Sequence, residues 1–144
     1  MDSPRRQIAR YVVEEELGRG MMGVVYRAHD PELGRTVALK TVQLAFAVTP
    51  EEAESFEKRF VAEARASARL AHPNIVIVHD VGRDPSSNAL YIAFEHLRGR
   101  TLAEVAQDGP MEWKKALRIA ARVADALHSA HLQGVVHRDV KPAN

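Results

Sequence analysis

The chain has 144 residues, 46% hydrophobic and 27% charged, with 20 Lys and Arg against 19 Asp and Glu for a net charge of +1. That length fits about one domain, and so even a charge balance gives no electrostatic case for nucleic acid or an anionic membrane surface. Cysteine is absent, which excludes disulfides and thiolate metal sites and fits a reducing compartment.

The N-terminus, Met1-Asp2-Ser3-Pro4-Arg5-Arg6-Gln7, has no apolar run behind its arginines, so it reads as neither a secretory nor a twin-arginine signal. Nowhere do about 18 apolar residues run together. The default expectation is a soluble, cytoplasmic chain without a membrane segment. The first predicted strand is Tyr11 to Leu17, ending at Gly18. The β-branched and aromatic run Val24-Val25-Tyr26-Arg27-Ala28 predicts a second. Asp30-Pro31-Glu32-Leu33-Gly34 is a turn by its Pro and Gly, and Thr36 to Val42 is a third strand in an antiparallel meander. Thr49-Pro50-Glu51-Glu52 then opens a helix, with Thr as N-cap, Pro in the first turn and acids that complement the dipole. The helix runs to about Leu70, and His72-Pro73 ends it. Ile75 to Val81 and Ala89 to His96 are two further strands. Thr101 to Gln107 predicts a short helix. Glu112 to His131 predicts a long one, closed by Gly134 as a left-handed cap. Five strands with one inserted helix, then helices, mean α+β rather than a doubly wound α/β sheet.

Gly18-Arg19-Gly20-Met21-Met22-Gly23 is a GxGxxG string. Its glycines let backbone amides approach phosphate oxygens with no Cβ in the way. A dinucleotide-binding loop of that pattern opens a helix at once, whereas strand-like residues follow here. A glycine-rich hairpin with no ligand is the alternative. On the third strand, Ala38, Lys40 and Val42 share one face by period-two alternation. Lys40 there calls for a partner or ligand that offsets its desolvation, or else it snorkels at the sheet margin. Phe56, Phe60, Glu63, Ser67 and Leu70 recur at helical spacing, which places Glu63 in the buried stripe. A buried carboxylate needs a counter-charge, and Lys40 is the natural one. The alternative is a Glu at the stripe edge that reaches solvent.

Asp139, Lys141 and Asn144 cluster after the long helix. A carboxylate can accept or orient a hydroxyl proton, a lysine can balance phosphate charge, and a hard amide oxygen suits magnesium. A polar tail is the bland alternative. His128, His131 and His137 suggest zinc only weakly, because neither an HExxH nor any Cys accompanies them.

Together, Gly18-x-Gly20-x-x-Gly23, Val37-Ala38-Leu39-Lys40, helix Glu63 and His137-Arg138-Asp139-Val140-Lys141-Pro142-Ala143-Asn144 resemble the protein kinase signature set, in the same order. Lys141-Pro142 looks like the Ser/Thr branch, and Gly-Val-Val-Tyr-Arg-Ala and His-Pro-Asn-Ile-Val are similar to bacterial kinases of the eukaryotic-like type. The resemblance implies a small lobe of five antiparallel strands plus one helix, then the first helices of an incomplete large lobe. Residues 1–10 would be a tail, 11–97 the small lobe and hinge, and 98–144 the start of the large lobe. Gly18, Gly20 and Gly23, in a loop with Leu17, Arg19, Met21 and Met22, would cover the phosphates of ATP. Val25 and Ala38 would pack on adenine, with Phe94 as gatekeeper and backbone groups of Glu95 and Leu97 binding the ring. Lys40 would hold the α- and β-phosphates and Glu63 would hold Lys40. Asp139 would be the catalytic base, Lys141 a phosphate contact and Asn144 a magnesium ligand. Arg138 would pair with a phosphorylated activation loop.

The implied reaction is transfer of the ATP γ-phosphoryl group to Ser/Thr hydroxyls of proteins by a longer parent. Met21 stands where bacterial relatives usually have Gly, and no Asp-Phe-Gly follows Asn144. The expectation is therefore a fragment with half of its protein metal ligands, inactive alone, with an apolar face on the long helix left open. The rival reading is a truncated product that binds nucleotide or docks other kinases without catalysis.

Overall fold

The computed structural model describes residues 6–20, 23–42 and 49–144. The chain divides into two compact units, Met1–Arg69 with Ile77–His96, and Leu70–Val76 with Leu97–Asn144. The short segment 70–76 thus groups with the later helices and not with the strand that follows it.

The first unit is a six-stranded sheet of order β1-β2-β3-β4-β6-β5, every neighbour antiparallel. The strands are β1 (Gln7–Ile8), β2 (Tyr11–Gly20), β3 (Gly23–Asp30), β4 (Arg35–Val42), β5 (Val78–Arg83) and β6 (Leu90–Glu95), with helix α1 (Pro50–Ala68) between β4 and β5. The mixed α+β order read from the sequence is the one observed. The two-residue β1 is an addition, too short to give any periodic signal.

Alternation explains the sheet. In β3 the buried positions are Val24, Tyr26, Ala28 and Asp30, and in β4 they include Val37, Leu39 and Thr41. The register sets Tyr26 opposite Leu39, Ala28 opposite Val37 and Leu39 opposite Ala93. These residues, with Ile8, Tyr11, Val24 and Tyr91, form one core. Leu39 and Val37 are fully buried, each worth about 1.5–3 kcal/mol by area removed from water. Thr41 sits inside too, and its hydroxyl is satisfied by the Val24 carbonyl at 3.2 Å.

The sheet is also held by charge. Arg10 bridges Asp30 (3.2 Å) and Asp80 (2.9 Å), while the Tyr11 and Tyr91 hydroxyls donate to Asp80 at 2.8 and 3.3 Å. Burial, then the contact with Asp80, pushes the Tyr11 phenol up. Asp84 is almost fully buried. It accepts from the Ala9 N–H at 2.8 Å, the Ser87 N–H at 2.9 Å, the Ser86 hydroxyl at 2.7 Å and the Ser87 hydroxyl. It therefore ties the chain after β1 to the β5–β6 turn, which Asn88 closes with a φ of 59°. Gly82 is required beside this cluster, since a Cβ there would lie 2.7 Å from the Tyr91 hydroxyl oxygen.

Helix α1 starts as its sequence indicates. The Thr49 side chain accepts from the Glu52 N–H at 3.2 Å and the Glu52 carboxylate accepts from the Thr49 N–H at 3.1 Å, a capping box. Ala64 is its buried residue. α1 packs on β5, where Arg83 donates to Glu57.

The second unit contains α2 (Leu102–Ala106) and α3 (Trp113–Leu132). α3 ends in a Schellman motif: Gly134, at φ 75°, donates to the His131 carbonyl at 2.9 Å, and Val135 donates to the Ala130 carbonyl at 3.0 Å. His72 Nδ1 accepts the Asn74 N–H at 3.1 Å, which assigns the proton to Nε2, 3.0 Å from Asp125 on α3. Ala126 and Ala130 are buried, while Trp113, Leu117, Val123 and Leu132 are exposed. The apolar face expected on this helix is open. Among the described residues no helix is long and apolar enough to cross a membrane.

Asp84 gives a testable pH dependence. Burial pushes its carboxyl up, and the bonds from Ser87, Ala9 and Ser86 outweigh it and hold it well below the usual carboxylate range. A depressed folded pKa stabilises above the unfolded value, and the gain is lost as pH falls below about 4. Asp84→Asn is expected to cost about 1–3 kcal/mol at pH 7 by leaving buried donors unpaired. Urea midpoints measured from pH 7 downward should converge between wild type and variant.

Candidate active site

The pleat that buries Val37 and Leu39 turns the alternate residues to the other face. Val25 lies opposite Lys40, Lys40 opposite Ile92, and Ala38 opposite Phe94 and Arg27. Gly18 lies opposite Val25. The register therefore gathers Val25, Ala38, Lys40 and Phe94 on one sheet face, none of them buried. Ile92 occupies the same face. It was not singled out from the sequence, although its place two residues before Phe94 on one strand was the available signal. Glu95 ends β6, and it brackets Ile77, its N–H donating to the Ile77 carbonyl at 2.9 Å and its carboxylate accepting the Ile77 N–H at 2.7 Å. Leu97 opens the second unit and is exposed.

The three glycines differ in kind. Leu17, Gly18, Arg19 and Gly20 are exposed at the end of β2, and a Cβ on Gly18 or Gly20 would meet nothing within 4 Å. Arg19 is held by Glu16 at 2.6 Å. Gly23 has a φ of 156°, and a Cβ there would fall 1.8 Å from the Thr41 carbonyl oxygen. Its lack of a side chain is a requirement of the sheet itself. Met21 and Met22 lie outside the described residues.

The helix carboxylate is placed differently from the sequence expectation. Glu63 is exposed, and its neighbour Ala64 is buried. The inward row of α1 is Ala53, Glu57, Phe60 and Ala64, rotated by one residue from the row that contains Glu63. Lys40 is exposed as well. Among the described residues no ion pair or hydrogen bond joins Lys40 to Glu63, and the α1 carboxylate that pairs with a strand residue is Glu57, which takes Arg83. Arg27, on the same sheet face as Lys40, is engaged by Glu14 at 2.8 Å and Glu15 at 2.7 Å.

The terminal loop does bring its three residues together. Lys141 Nζ lies 2.8 Å from Asp139 Oδ2. Asn144 Nδ2 donates to the Asp139 carbonyl at 2.6 Å and to its carboxylate at 3.2 Å. The Asp139 N–H donates to His137 Nδ1 at 3.2 Å. The Lys141 ammonium, then the Asn144 amide, hold the Asp139 carboxyl below its ordinary value, so it is ionised at neutral pH. Arg138 is exposed and adopts a left-handed φ of 65°, a conformation non-glycine residues seldom hold without a constraint. Among the described residues no group of three or more His, Cys, Asp or Glu is placed to hold a metal.

Comparison with known proteins decides the family. The model of the protein kinase domain matches residues 11–144. The chain belongs to the protein kinase family. A probable serine/threonine-protein kinase of Streptomyces coelicolor is 43% identical over the whole chain, which covers 21% of that relative. Serine/threonine-protein kinase PknB of Mycobacterium tuberculosis is 40% identical over the whole chain, which covers 23% of it. The crystal structure of the Mycobacterium tuberculosis PknI kinase domain superposes with a TM-score of 0.81 at 35% identity, covering 99% of this chain and 57% of that one. This kinase chain thus spans about a fifth of the length of its curated relatives.

The two kinds of glycine separate by experiment. Gly23→Ala should destabilise the sheet by several kcal/mol, or prevent folding, because backbone blocks the new Cβ. Gly18→Ala and Gly20→Ala should stay within about 1 kcal/mol of wild type. Thermal melts of the three variants check this, and they leave the latter two as clean reporters of ligand contact.

Proposed function

We propose that this chain carries the nucleotide-binding and catalytic-loop portion of a serine/threonine protein kinase, whose reaction moves the γ-phosphoryl group of ATP to a protein Ser or Thr hydroxyl. The observation that carries the reading is the Asp139 carboxylate, ionised, 2.8 Å from the Lys141 ammonium and braced by Asn144. Phosphoryl transfer asks the protein mostly for positioning and charge stabilisation. An ionised carboxylate can accept the hydroxyl proton and orient the oxygen for attack. The Lys141 ammonium, one contact away, is suited to follow the negative charge of the phosphoryl oxygens.

On the sheet face, Val25, Ala38 and Phe94 offer apolar surface for adenine. Lys40 offers an uncommitted cation for phosphate, and backbone groups of Glu95 and Leu97 offer hydrogen bonds to the ring. Gly18 and Gly20, with open space beside them, let main-chain N–H groups approach phosphate closely. Glu63 would join Lys40 only after α1 turns its exposed row inward. Asn144 fits magnesium: its NH₂ is turned to Asp139, which leaves its hard amide oxygen for a cation. Magnesium, when bound, neutralises phosphate charge.

Radiolabelled phosphotransfer to a generic acceptor protein tests the reading. The chain alone is expected to transfer no phosphate; in the longer parent, Asp139→Asn is expected to reduce incorporation about 10²–10⁴-fold, as for a positioned proton acceptor. Nucleotide binding that Lys40→Ala weakens, with no transfer by either protein, would instead select a non-catalytic nucleotide-binding module.

A further inference from the structure

Helix α2 has five residues, far below the length at which a helix stands alone in water. It is closed at both ends by its own side chains. At the N-terminus Thr101 Oγ1 accepts the Glu104 N–H at 3.2 Å, and the Glu104 carboxylate accepts the Thr101 N–H at 2.6 Å and hydroxyl at 2.9 Å. At the C-terminus Arg100 donates to the Glu104 carbonyl at 2.7 Å and to both Asp108 carboxylate oxygens at 2.6 and 3.0 Å. This is a large investment of contacts for one and a half turns on an exposed surface.

The first-turn N–H groups of a helix have no acceptor within it. In α2 one of them, that of Ala103, donates to the Pro142 carbonyl at 2.8 Å. Pro142 stands between Lys141 and Asn144. The other hydrogen bonds of residues 137–144 are local: Asp139 to His137, Asn144 to Lys141 and Asn144 to Asp139. Among the described residues, the Ala103–Pro142 bond is therefore the one hydrogen bond that ties this loop to another element.

We propose, resting on the kinase reading above, that α2 is a strut for the loop of Asp139, Lys141 and Asn144, acting through the Ala103 N–H and the Pro142 carbonyl, with Arg100, Thr101, Glu104 and Asp108 as positioning residues. The side-chain clamps fix the helix. The helix fixes Pro142, whose ring already restricts its φ, and Pro142 sets where Lys141 and Asn144 emerge on either side.

Nuclear magnetic resonance on the 144-residue chain tests this without requiring turnover. Thr101→Ala removes the cap and Asp108→Asn weakens the Arg100 clamp at an exposed pair. Each is expected to speed hydrogen exchange of the Ala103 amide by about tenfold or more, as local opening does, and to displace the Asn144 side-chain amide resonance. Thr101→Ser keeps the capping hydroxyl and should restore both signals. Faster exchange at Ala103 with the Asn144 resonance unmoved would overturn the strut, as would an unprotected Ala103 amide in the wild type. Should Thr101→Ala fail to fold, Asp108→Asn decides alone. A chain that shows this coupling, from a longer parent that transfers no phosphate, counts against the kinase reading and leaves the strut standing.

Discussion

The pleat of β3, β4 and β6 is the constraint on which the sheet half of the site depends. Val37, Leu39, Tyr26 and Ala93 must be dry for the sheet to be stable, and period two then leaves no freedom for the residues between them. Ala38, Lys40, Val25, Ile92 and Phe94 fall on the opposite face because the core residues fall on theirs. A one-residue slip of β4 would drive the Lys40 ammonium into the core and turn Leu39 out. Core burial therefore selects the site register far more strongly than any contact a ligand could add. Folding and placement of the candidate nucleotide face are a single event.

Two parts of the sheet contrast. Arg10, Tyr11, Asp30, Asp80, Asp84 and Tyr91 form a network in which the buried acids are each bonded several times. Such groups are costly when any partner is missing, which makes the arrangement specific as well as tight. By contrast, β2 runs out exposed from Glu14 to Gly20. Beside it Gly23 approaches the Thr41 carbonyl closely, and the β3–β4 ladder continues through the Gly23–Val42 and Val24–Thr41 pairs. A rigid base with an open, glycine-lined rim is the usual way a scaffold presents groups to a ligand.

What was legible in the sequence was local and chemical. Thr49 with Glu52 announced the α1 start, Gly134 announced the α3 end, and the β-branched run of β3, the turn after it and the strand pattern of β4 announced a meander. The rest depends on partners distant in the chain. Helical spacing accommodates either Glu63 or Ala64 in the stripe of α1, since the two rows are one residue apart on the wheel. The observed row buries Ala64 and sets Glu57 against Arg83 on β5, and no local pattern shows that pairing. β5 was expected from Ile75 to Val81 and is found at Val78–Arg83. Ile75 is drawn into a turn by the His72 carbonyl, and Ile77 is drawn off by Glu95. Asp80 and Gly82 look like poor strand residues until Tyr11 and Tyr91 are seen against them.

Lys40 and Glu63 bring these points together. The family resemblance gives Lys40 an acidic partner, and the structure leaves both side chains in water. An exposed ammonium keeps its hydration and bears no desolvation cost, so it needs no partner in the free chain. Arg27, its neighbour on the same face, is already committed to Glu14 and Glu15. Among the described residues the positive charge left available on that face is thus Lys40, with no Cβ on Gly18 or Gly20 to crowd an approaching phosphate. Closure of Glu63 onto Lys40 requires α1 to exchange an Ala64-inward row for a Glu63-inward one, and with it the Glu57–Arg83 pair.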